Sequence, residues 1–233
     1  MDKSGKENAT QLPFDLGANV SYSRADIIES QSNQTAINII DAWPDWPSSA
    51  LVLAGPVGSG KTHLANVWLE RAQGVIYPIS QLNGQMDKIQ KSILAGGNLV
   101  LEDAGAGEID DTALFHVLNS IRQASLSCLI TSVVWPSEWN IALPDLASRL
   151  KAVQVVELQE PDDDLLIQVM LKQFADRQLV VDPKVIEYCV NRMERSLESA
   201  AHLVAAIDAE ALSRNASITR STAANALRQL KML

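Results

Sequence analysis

The sequence predicts an α/β protein in which a parallel sheet carries a phosphate-binding loop and a small all-helical domain follows. Three observations predict it. Short apolar runs alternate with helical patterns as far as about residue 160, the pattern of a parallel sheet covered on both faces. One of these runs, "LVLA", leads into the glycine-rich "GPVGSGKTH", which opens a helical segment. Beyond Pro161 the remaining segments have helical spacing and none reads as a strand.

The loop is the most specific of the three. Gly55, Gly60, Lys61 and Thr62 satisfy G-x-x-x-x-G-K-[ST], and Gly58 adds a further glycine. Glycines let the backbone turn its N–H groups inward and form an anion cradle that side chains would block. The positive end of the following helix points into the same place. Lys61 can neutralise β and γ phosphates, and the Thr62 hydroxyl can ligate Mg²⁺. The stretch Gly55, Pro56, Val57, Gly58, Ser59, Gly60, Lys61, Thr62 and His63 is therefore the expected nucleotide cradle, with ATP or ADP as cofactor.

Composition narrows the function classes. The chain has 233 residues, 47% of them hydrophobic, and a formal net charge of −9. It can bury a proper core, and its acidity argues against broad contact with a nucleic-acid backbone. No apolar run approaches the ~18 residues of a membrane span, and no signal pattern opens the chain. A cytoplasmic protein is expected. Cys128 and Cys189 sit in apolar runs and read as buried small hydrophobes, and His63, His116 and His202 have no zinc spacing.

Residues 1–19 read as a flexible segment that carries "QLPFDL", with Leu12, Phe14 and Leu16 on alternate positions. A helix is expected from about Asp26 to Ala42, stopped by the turn "WPDWP". The loop strand and its helix follow, then strands at Gly74 to Ile79, "NLVLED", "SCLITSVV" and "VQVVELQ", with helices over roughly Asp111 to Ser125 and at "LPDLASRL". These place an α/β domain over 20–160 and a helical lid over 161–233.

Hydrolysis requires a secured metal and an oriented water. Glu102 and Asp103 end a buried strand, on the side of the sheet where ligands bind in open α/β folds, so with Thr62 they are the candidate metal site. Arg149 and Arg195 can each offer charge to a γ phosphate.

"GPVGSGKTHLANVW", "LVLEDAG", "LITSVVWPSEW", "LASRL" and "RSLESAAHL" follow the order of the phosphate loop, acidic strand, sensor 1, arginine-finger box and sensor 2 of AAA+ ATPases. The chain resembles the DnaA clade of that family, whose loop also continues into T-H-L. The resemblance covers about residues 20 to 230. It implies that Arg149 acts as a finger in trans, that Arg195 is the sensor 2 arginine, and that Ile27 and Ile28 lie near the adenine. The DNA-binding domain of the initiator is not expected here. This leaves a likeness to the regulatory, Hda-type branch, negative regulators that promote hydrolysis of DnaA-bound ATP. In that branch a short peptide binds the DNA polymerase sliding clamp, a role that Gln11, Leu12, Phe14 and Leu16 match. The implied partners are DnaA and the clamp, without sequence-specific DNA binding or a membrane, and with homo-oligomerisation left open.

Two departures from the family pattern bear on catalysis. The acidic pair runs Glu102 then Asp103, the reverse of the usual order, and Val133 stands where the clade tends to have an acid. Both weaken the expectation of self-hydrolysis. The competing readings are an autonomous ATPase that loads a helicase or remodels a replication protein, and a DNA-binding initiator fragment, which the acidity disfavours.

Overall fold

The computed structural model describes residues 23–231. Five strands, β1 (Ala50–Ala54), β2 (Val75–Pro78), β3 (Leu99–Ala104), β4 (Cys128–Ser132) and β5 (Gln154–Glu157), form one parallel sheet in the order β2-β3-β4-β1-β5. Period-two alternation assigns each strand's side chains to opposite faces. From β1, Leu51 and Leu53 pack with α1 (Gln34–Asp41) and α2 (Lys61–Ala72), around the fully buried Trp68. Ala50 and Val52 pack on the other face with α3 (Leu82–Leu94), α4 (Asp111–Gln123) and α5 (Pro144–Leu150). Both faces are covered, as a parallel sheet requires.

After β5 the chain builds α6 (Asp163–Asp176), α7 (Pro183–Val190), α8 (Leu197–Ser213) and α9 (Arg220–Lys231). Leu166, Met170, Phe174, Ile186, Leu203 and Ile207 lie in a core shared by these four helices. Three of them start on side-chain caps: Asp162, Asp182 and Ser196 each accept a backbone N–H from the first turn. No helix among the described residues is long and apolar enough to cross a membrane.

Two elements differ from expectation. The helix expected from Asp26 begins only at Gln34; before it lies one short 3₁₀ turn, Arg24–Asp26. The Asn33 side chain accepts the Ser30 N–H at 2.9 Å and donates to the Ile28 carbonyl at 2.9 Å. These local bonds offer the backbone an alternative to helix. The second is α3, which the reading of the sequence passed over. Leu82, Ile89 and Ile93 form its buried stripe, with Met86 half-buried on the same face.

Candidate functional site

The loop occupies the turn from β1 into α2, at the carboxyl end of an interior strand, where open α/β sheets bind ligands. Its first residue is fixed from both sides: Gly55 N–H donates to the Ser132 carbonyl at 3.1 Å, and Leu158 N–H to the Ala54 carbonyl at 2.7 Å. Gly58 has φ +75° and Gly60 has φ +100°, conformations that a side chain disfavours. Lys61 is buried and its Nζ donates to the carbonyls of Gly55 and Pro56 at 2.8 and 2.7 Å. Burial pushes its pKa down, and the Asp103 charge pushes it back up.

Val57, Gly58, Gly60, Lys61, Thr62, His63, Asp103 and Val133 line a cleft of about 310 Å³, closed on its far side by Leu197 and Glu198 of α8. Glycine backbone, a lysine and a hydroxyl around one concavity can hold a polyphosphate. The lid meets the loop directly. Leu197 N–H donates to the Gly58 carbonyl at 2.9 Å, and a Cβ on Gly58 would lie 2.5 Å from the Ser196 Cβ. Sequence reasoning missed Ser196, Leu197 and Glu198. The only available signal was that they follow Arg195 at a helix start.

The acids lie where β3 loses its register with β4, between Leu101 and Ala104. Asp103 has φ +63°, and its N–H donates to the Thr131 hydroxyl at 3.1 Å. That irregularity lets consecutive residues face the loop, which a regular strand forbids. Asp103 lines the cleft, while Glu102 hydrogen-bonds the Thr62 side chain. Burial raises the Glu102 pKa, the Thr62 hydroxyl lowers it, and Asp103 raises it further. Its Oε1 is buried without a partner. A hard cation fits this donor set: a hydroxyl, a carboxylate oxygen with unused capacity and a second carboxylate nearby. Among the described residues no three His, Cys, Asp or Glu cluster as a metal site, so phosphate and water oxygens would complete the shell.

Neither the end of β4 nor Val133 adds a polar group to the cleft lining. Thr131 is engaged by Asp103, and the Ser132 hydroxyl accepts from Trp139 Nε1 and has the Ala104 and Val134 carbonyls in reach of its single proton. Val133 lines the cleft with a methyl surface instead.

Of the remaining expected residues, Arg149, Arg195, Ile27 and Ile28 are not among those that line the cleft. Arg149 stacks on Phe115 of α4, 5.1 Å from the ring centre, with Nη1 buried and without a hydrogen-bond partner among the described residues. Burial lowers its pKa, as does nearby Arg122, against Asp145. Arg195 pairs with Asp163 at 2.6 Å and donates to the Pro161 carbonyl, tying the start of α8 to the start of α6. Ile27 packs against the core that holds α1 and α2, and the Ile28 carbonyl is used by Asn33. His63 feels both Asp26 and Lys172, with burial holding its pKa down. Gln11, Leu12, Phe14 and Leu16 lie outside the described residues.

A loop after β1, acids on a strand separated from it by β4, and a helical lid over the loop define a P-loop fold of the AAA+ type. Solved structures share this fold. Domain III of the Thermotoga maritima replication initiation protein DnaA superposes with a TM-score of 0.76 at 17% identity, covering 91% of this chain and 97% of that one. AMPPCP-bound DnaA from Aquifex aeolicus gives 0.70 at 16% identity, over 84% and 67%. The Thermotoga maritima RuvB Holliday junction branch migration motor gives 0.72 at 17%, over 90% and 72%. In sequence the chain is similar to the chromosomal replication initiator DnaA of Wolinella succinogenes, 23% identical over 197 residues, 77% of the chain and 45% of that protein. DnaA of Bacteroides thetaiotaomicron is 25% identical over 222 residues, 83% and 46%. The chain thus spans about half the length of the curated relatives it matches. No protein-family model matches it. Fold and similarity together show an AAA+ fold whose sequence is similar to that of DnaA.

Proposed function

We propose that this chain is a nucleotide-binding regulator of replication initiation, of the Hda type, that promotes hydrolysis of DnaA-bound ATP in association with the DNA polymerase sliding clamp. The observation that carries this reading is the position of Arg149, held over Phe115 outside its own cleft. An arginine so placed serves another subunit's phosphates better than its own, and a trans arginine can raise phosphoryl-transfer rates by about 10³-fold or more.

The cleft would take ATP or ADP. The cradle's N–H groups and Lys61 would hold the phosphates, and Thr62, Glu102 and Asp103 would secure Mg²⁺. A bound metal supplies charge neutralisation at the phosphates. Around it Lys61 binds, the buried Glu102 oxygen orients water or metal, and Leu197 with Glu198 screens the loop from solvent. Arg195, now paired with Asp163, is proposed to turn toward the phosphates once they are present. Val133 leaves this side of the cleft without a group to orient an attacking water, which supports slow turnover by the chain itself. Regulation in trans fits that weakness better than an autonomous loader or remodeller does. The proposed setting is cytoplasmic, with "QLPFDL" as the clamp-binding peptide.

The test measures hydrolysis of DnaA-bound ATP with this protein present, with and without clamp loaded on DNA. The reading requires stimulation that depends on both. Hydrolysis at the rate of DnaA alone contradicts it.

A further inference from the structure

The segment between the first 3₁₀ turn and α1 runs beside the lid and is bound to it at two separated points. At one, Lys172 of α6 pairs with Asp26 at 3.0 Å. At the other, Asp162, the residue that caps α6, accepts from the Ser32 N–H at 3.4 Å and hydrogen-bonds the Ser30 side chain. Ten residues of helix separate the two points on the lid, roughly 15 Å. Six residues separate them on the strap, which can reach about 20 Å when extended. The segment is thus long enough to cover the span, and its two attachments make Asp26 to Ser32 a strap on α6. Gln159 N–H closes the far end by donating to the Ser32 carbonyl at 3.2 Å.

The lid carries this restraint to the loop. α6 and α8 share the lid core through Met170, Phe174, Leu203 and Ile207, and Leu197 at the start of α8 reaches the Gly58 carbonyl. His63 lies on the cleft wall within the field of both Asp26 and Lys172. We propose that the Asp26–Lys172 ion pair is a clasp that holds the helical lid against the phosphate loop and thereby sets how long a bound nucleotide stays. Neither residue lines the cleft, so both act as positioning residues through the strap and α6. The proposal rests on the reading of the cleft as a nucleotide site.

The pair is part-exposed, at 30% for Asp26 and 37% for Lys172, and Lys172 also holds Asp176 at 3.1 Å. A surface pair of this kind has a modest effect, so the expected change is about three- to fivefold. The experiment follows release of an ADP carrying a fluorophore on its ribose, chased with excess ADP, from the full chain. Asp26→Asn and Lys172→Met should each speed release about three- to fivefold, and the double variant should match the singles because both break one contact. Asp176→Asn, which leaves the clasp intact, should release at the wild-type rate. Lys172→Glu should release faster still, and adding Asp26→Lys should bring the rate back toward wild type. Release unchanged in the single variants, or Asp176→Asn as fast as Asp26→Asn, overturns the clasp. A wild-type chain that holds no labelled ADP overturns the nucleotide reading beneath it, a distinct result.

Discussion

Leu197 N–H donates to the Gly58 carbonyl across 2.9 Å, so one hydrogen bond joins the helical lid to the middle of the phosphate loop. Neither residue has a charged side chain. The contact depends on backbone approaching backbone, and Gly58 permits it because any Cβ there would collide with Ser196.

Gly58→Ala should therefore open the lid. The residue would carry a side chain at φ +75° against the Ser196 that caps α8, a cost of about 1–3 kcal/mol. Thermal denaturation should show the loss, and calorimetry with ADP should show weaker binding. A variant as stable as wild type, with equal affinity, would mean that the lid does not rest on the loop.

Lys61→Ala removes the one cation at the loop while leaving the backbone cradle. Its ammonium now satisfies the carbonyls of Gly55 and Pro56. Nucleotide affinity should fall roughly tenfold or more, since a charge-assisted contact to phosphate is lost. Unchanged affinity by calorimetry would remove Lys61 from the site.

Glu102 gives a pH-dependent signature without any ligand. Burial raises its folded-state pKa above the ordinary carboxylate value. Its contribution to stability is therefore fully present below the unfolded pKa and is lost as pH rises through the folded one. Glu102→Gln cannot ionise, so it should melt higher than wild type at about pH 7 and lose that advantage near pH 4. A variant that melts lower at neutral pH would show that the ionised carboxylate is stabilised where it stands.

Much of this architecture was legible in residue order. The β1 run and the loop announce themselves because a strand buried on both faces is continuously apolar, and a phosphate cradle requires glycine at fixed spacing. The acids Glu102 and Asp103 were found for the same reason. What turns both toward the loop, the register shift and the left-handed Asp103, has no sequence signal because Asp adopts that conformation only under local constraint. The stretch from Asp26 to Asn33 read as helix from its apolar spacing, since periodicity is blind to the bonds that Asn33 makes to Ser30 and Ile28. Helix α3 was missed with Gly84 and a polar run inside its stripe. Glu198 and Leu197 on the cleft could not be inferred, because contact between loop and lid is set by tertiary packing across more than a hundred residues.

The peptide "QLPFDL" separates a clamp-dependent regulator from a generic ATPase. On the proposed reading, changing Leu12, Phe14 and Leu16 to alanine should abolish capture by immobilised clamp, because these three apolar side chains would supply the anchors. Melting temperature and nucleotide affinity should stay near wild type. Equal capture by the variant would place the clamp contact elsewhere, and an unfolded variant would make the segment part of the core.

The most direct measurement of the central claim is the single-turnover rate of ATP hydrolysis by DnaA with clamp on DNA, comparing wild type with Arg149→Ala. Wild type should stimulate that hydrolysis. The Arg149 guanidinium, held over Phe115 and away from the cleft of its own chain, should account for nearly all of it, so the variant should bind nucleotide normally and lose stimulation by about 10³-fold or to the unassisted rate. Stimulation by Arg149→Ala equal to wild type would contradict the account.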